Sequence, residues 1–64
     1  MTQAAMLIIE NDQVVAESVR DTLLCLGYSV TGIAQNAEQA NALFSAAPPD
    51  LVLINLECMR AADD

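Results

Sequence analysis

The chain has 64 residues, with nine Asp and Glu against two Arg, no Lys and no His, for a net charge of −7. This balance excludes nucleic acid as a natural partner, because such binding rests on Lys and Arg contacts to phosphates, and it disfavours an anionic membrane surface for the same reason. One small domain is the most this length allows, yet 55% of the residues are hydrophobic and 17% charged, more apolar material than a lone small core hides; a partner chain is the first candidate to cover the surplus.

The run "AAMLII" over residues 4–9 is continuously apolar and ends on Glu10. Continuous rather than alternating hydrophobicity predicts a strand over about 5–10 that is covered on both faces, as in a parallel sheet. The chain then turns polar, and Asn11 or Asp12 is placed to cap the start of a helix. Over 13–26, "QVVAESVRDTLLCL" sets Val15, Val19 and Leu23 four apart, with Val14, Thr22 and Leu26 beside them. That spacing predicts an amphipathic helix, closed by Gly27 in a left-handed stop. Cys25 in this apolar stretch reads as a small core residue. Cys25 and Cys58 lack CxxC spacing and histidine companions, so the pair does not indicate a metal site.

"YSVTGIA" over 28–34 alternates and is rich in β-branched residues, which predicts a half-buried strand at a sheet edge. Asn36 followed three residues later by Gln39 resembles a capping box, and opens a second helix over about 37–46 with Ala37, Ala40, Leu43 and Phe44 on its apolar face. Pro48 and Pro49 stop it. "DLVLIN" over 50–55 predicts a third strand, apolar until it ends on Asn55. The tail 56–64 has no period and reads as a loop or frayed end. Val19, Leu23, Leu26 and Leu43 are the expected core leucines and valine of the helices.

The order is β-α-β-α-β. Short connections and right-handed crossovers give an α/β fold with a three-stranded parallel sheet of order 2-1-3 and one helix on each face. Residues 1–5 lack the basic start and apolar run of a secretory signal, and no stretch approaches the ~20 apolar residues of a membrane span. The expectation is a cytoplasmic protein with reduced thiols.

In that order and spacing, the pieces "LIIEND", "LGYSV", "AQNAEQA" and "PPDLVLIN" resemble the first half of a response-regulator receiver domain, a flavodoxin-like fold. The resemblance spans roughly residues 5–60. It implies that the acid pair holding Mg²⁺ at the end of strand 1 falls on Glu10 and Asn11. It implies too that the phosphoacceptor at the end of strand 3 falls on Asn55. Both positions depart from the family. A carboxamide oxygen is a far poorer nucleophile than a carboxylate and gives no stable acyl phosphate, and Mg²⁺ requires hard anionic oxygens, of which Glu10 is the one retained. The family's Ser/Thr and lysine fall on later strands than this chain reaches, and Cys58-Met59 stands where the family has Met-Pro.

The reading is therefore a phosphorylation-incompetent, receiver-like module of two-component signalling type, not an enzyme and needing no cofactor, with Mg²⁺ binding weak at most. Two alternatives stand beside it. One is a true phospho-receiver using another acceptor such as Glu57; the other is a truncated piece of a phosphorelay regulator whose missing half supplies function. The bare outer edge of strand 3 leads to the expectation of a homodimer, with Leu51, Leu53, Ile54, Leu56 and Met59 at the interface.

Overall fold

The computed structural model describes residues 3–55. Their element order is β1 (Ala5–Ile9), α1 (Gln13–Cys25), β2 (Ser29–Ala34), α2 (Ala37–Ala46) and β3 (Leu51–Ile54). The three strands form one parallel sheet of order β2-β1-β3, as the sequence pattern predicts. Each element lies within one residue of its expected bounds. The expected tail, with Leu56, Cys58 and Met59, lies outside the described residues.

Local chemistry explains where the elements start and stop. Asp12 caps α1, its carboxylate accepting from the amides of Val14 at 3.0 Å and Val15 at 3.2 Å, which satisfies two donors that the first helical turn leaves without partners. At the other end Gly27 takes φ +97°. This lets the Tyr28 amide donate to Leu23 O at 3.0 Å and the Gly27 amide to Leu24 O at 3.1 Å, the paired bonds of a Schellman closure. Asn36 caps α2 by accepting from the Gln39 amide at 2.8 Å. The Gln39 side chain returns the bond, though to the amide of Gln35 at 2.8 Å, one residue earlier than the capping box predicts.

β1 is the centre of the molecule. Leu7 and Ile9 point to the α2 side, where they pack with Ala34, Ala40 and Leu43. Met6, Ile8 and Glu10 alternate onto the α1 side. All five residues 6–10 are buried, which accounts for the unbroken apolar run: the strand is covered on both faces. β2 carries a bulge, the register stepping from Met6↔Val30 to Leu7↔Gly32. The extra residue, Thr31, donates its hydroxyl to Met6 O at 3.4 Å. The bulge sets Gly32 beneath α2, where a Cβ would stand 3.2 Å from Leu43 Cδ1. Absence of a side chain is what lets the helix approach there.

The helix faces differ from expectation in two respects. On α1 the fully buried residue is Ala16, while Val19 and Leu23 are half-buried and Leu26 is 68% exposed. Cys25 is exposed rather than part of the core. The physical reason is the width of the sheet. Both helices pack on β1 and β2, and three strands offer too little surface to receive a full apolar helix face. A small residue allows close approach, and the larger ones splay outward. The same applies to Phe44 of α2, which is exposed although it lies on the predicted apolar face.

Candidate functional site at the ends of β1 and β3

In an open parallel sheet, ligand sites form at the carboxyl ends of strands where successive connections leave in opposite directions. Here that place lies between β1, whose chain crosses to β2, and β3 on its other side. Glu10 stands there at the end of β1 and Asn55 at the end of β3. The backbone sets them side by side: the Glu10 amide donates to Ala34 O at 2.8 Å and the Asn55 amide to Ile9 O at 3.0 Å. The Asn55 side-chain amide, through Nδ2, then donates to Glu10 Oε1.

Glu10 is 5% exposed. A carboxylate this deep requires hydrogen-bond partners, since burying it bare is costly. Its second oxygen, Oε2, accepts from the Asp12 backbone amide at 2.9 Å, so both oxygens are engaged by donors from the protein itself. Asp12, with its carboxylate committed to the helix cap, turns away from Glu10. Asn11 lies exposed on the bend between them. Of the three positions that the resemblance singles out, Glu10 and Asn55 are thus in direct contact. Asn11 is not among the residues lining the adjoining depression.

That depression, of about 310 Å³, opens on the α1 side of the sheet and is lined by Ile8, Val15, Val19, Leu53, Glu10 and Asn55, with Ile9 and Ile54 beneath. Its walls are apolar except at the Glu10–Asn55 end. Val19 is an expected core residue, and Val15 shares its helix face in the sequence pattern. They instead form the wall of an open groove, because α1 leans toward β2 and leaves the β3 side uncovered.

β3 is fastened to β1 at its other end as well. The Ala5 amide donates to Asp50 Oδ2 at 2.7 Å, and the Asp50 amide donates to Ala5 O at 2.7 Å. Between these two fastenings the four β3 residues remain open to solvent: Leu51 51%, Val52 39%, Leu53 41% and Ile54 44% exposed. Three of them, Leu51, Leu53 and Ile54, are expected interface residues, and Val52 joins them. Among the described residues there is no cluster of three His, Cys, Asp or Glu. No described helix is long and apolar enough to cross a membrane.

Compared with known protein families, curated proteins and solved structures, the chain matches none.

Proposed function

We propose that the chain is a receiver-like protein–protein interaction module of two-component signalling type that takes no phosphoryl group. The observation that carries this reading is the Glu10–Asn55 hydrogen bond. It supports the reading because the amide occupies Glu10 from within the protein. A working phosphoryl site needs the opposite, a carboxylate nucleophile and anionic oxygens left for a cation. Asn55 offers neither, and its side-chain amide supplies a donor to the buried carboxylate of Glu10. What the molecule presents instead is an apolar strand, β3, exposed along its length. A cytoplasmic setting belongs to the same proposal, supported by the exposed, unpaired thiol of Cys25, which a reducing compartment preserves.

The test is intact mass after incubation with acetyl phosphate and Mg²⁺. The mass is expected to stay unchanged. A stoichiometric gain of one phosphoryl group, at Glu57 or elsewhere, sinks the reading in favour of a phospho-receiver. The exposed β3 also fits a second reading, a piece of a phosphorelay regulator completed by further strands; the mass of the protein in its native source separates the two.

A further inference from the structure

We propose that Glu10 is a conformational latch: its carboxylate makes the end of β3 and the first turn of α1 open and close as one unit. The latch is independent of whether the chain takes a phosphoryl group.

One carboxylate serves two elements. Glu10 Oε1 accepts from the side-chain amide of Asn55, which follows β3. Glu10 Oε2 accepts from the Asp12 backbone amide at 2.9 Å. Asp12 is in turn the cap of α1. Its carboxylate accepts from the amides of Val14 at 3.0 Å and Val15 at 3.2 Å, and its carbonyl accepts from the Ala16 amide at 2.9 Å. Three successive contacts therefore join Asn55 to the start of the helix. Glu10 is 5% exposed, so water does not readily replace a donor that is lost, and a buried charge short of a donor is costly. With the Asn55 donor gone, the carboxylate turns toward solvent to regain one. The oxygen that holds Asp12 turns with it.

The two elements so joined are the two walls of the depression on the α1 side of the sheet. Val15 and Val19 form one wall, Leu53, Ile54 and Asn55 the other, and Glu10 closes the end between them. The main packing of α1 is on β1 and β2, so it is the latch that fixes the start of α1 relative to β3. A displacement of Asn55 is thereby felt at Val15, across the groove. The cap of α2 supplies an internal contrast. Asn36 accepts from the Gln39 amide at 2.8 Å, and the Ala40 amide donates to Asn36 O at 3.0 Å. This cap is built like that of α1, but its bonds run through Gln35 and Gln39, away from Glu10.

Amide hydrogen exchange, read residue by residue by NMR on the full chain, tests the latch, because it reports local openings separately from global unfolding. Asn55→Ala is expected to speed exchange at Val14, Val15 and Ala16 by roughly fivefold or more relative to Gln39 and Ala40 of α2, as loss of a bond to a buried charge requires. The coupling is also expected in reverse. Asp12→Ala and Asn36→Ala each remove one exposed helix cap at similar cost. Asp12→Ala is expected to speed exchange of the Asn55 amide, which donates to Ile9 O at 3.0 Å, while Asn36→Ala leaves it within about twofold of wild type. Equal changes in the first turns of α1 and α2 on Asn55→Ala overturn the latch. So does an Asn55 amide that responds alike to the two cap substitutions. Should Asn55→Ala lose its fold, the pair of cap variants decides alone.

Discussion

Asn55 at the end of β3 donates its side-chain amide to Glu10 at the end of β1, forty-five residues earlier in the chain. The bond does two things at once. It supplies a buried carboxylate with a donor, and it ties the outer strand to the central one. Asp50 makes the matching tie at the opposite end of β3 through the Ala5 amide. A strand of four residues is thereby held at both ends by side chains.

Replacing Asn55 tests the first role. Asn55→Ala leaves one oxygen of Glu10 short of a partner and is expected to cost about 1.5–3 kcal/mol, the range for hydrogen bonds to charged groups. Asn55→Asp is expected to cost more, because it sets a second negative charge against the first. Mg²⁺ should then recover part of the loss, as a cation bridging two carboxylates relieves their repulsion. Urea unfolding in EDTA and in Mg²⁺ measures both. An Asn55→Asp variant as stable in EDTA as the wild type would refute the account of the pair.

The same logic extends to the neighbouring position. Asn11→Asp combined with Asn55→Asp adds one carboxylate beside Glu10 and another on the exposed bend that follows it, and is expected to bind Mg²⁺ more tightly than the wild-type chain. Calorimetric titration checks this. Efficient phosphorylation is not expected to return, since the chain has no lysine to contact the transferred group.

Gly27 offers a test of the turn that launches β2. Its φ of +97° lies where side chains are rarely accommodated, although an added Cβ would meet no atom within 4 Å. Gly27→Ala is therefore expected to destabilise by about 1 kcal/mol through the backbone alone. Thermal unfolding reads the shift, and an unchanged midpoint would show that the Schellman closure relaxes without cost.

The core makes a sharper contrast. Leu7 is 1% exposed and Leu26 is 68% exposed. Leu7→Ala is expected to cost about 2–5 kcal/mol, as much as a domain this small has to lose, so loss of the folded signal is the expected outcome. Leu26→Ala is expected to change stability by no more than ~0.5 kcal/mol. Equal effects of the two substitutions would mean that α1 packs on the sheet through a different face.

That contrast also marks how far the sequence was legible. Element order, strand order and helix caps could be read because each has a local signature: the continuous run ending at Glu10, Gly27 after Cys25, Asn36 before Gln39. Asn55 drew notice because an amide closes an apolar strand. The resemblance placed it near Glu10, but nothing local shows that the two bond, or that the Asp12 amide takes the other oxygen. Burial on the helices was misread for a different reason. Periodicity finds which residues of α1 share a face, as Val15, Val19 and Leu23 do. How much opposing surface awaits that face depends on the number of strands beneath it. With three strands the close contact goes to Ala16, and Val15, Cys25 and Leu26 are left outside.

Salt should tighten the homodimer that the sequence leads one to expect through β3. Each chain carries −7, so bringing two copies together opposes like charges, while the strands that meet, Leu51–Ile54, carry none. Attraction at the edge is then apolar and backbone-borne, and repulsion comes from carboxylates set away from it. The Debye length falls from ~30 Å at 0.01 M to ~10 Å at 0.1 M ionic strength. Across that interval the repulsion between the two chains is progressively screened and the contact at the edge is little altered. The dimer dissociation constant is therefore expected to fall as NaCl rises from 0.01 to 0.3 M, in the opposite sense to an interface held by ion pairs. Leu53→Lys provides the control, since it places a charge in the middle of the exposed apolar strand. It is expected to yield monomer at every salt concentration, or to unfold if folding and pairing are coupled. Sedimentation equilibrium across the salt series measures both, and a dimer that weakens as salt is added would point to a charged interface and away from β3.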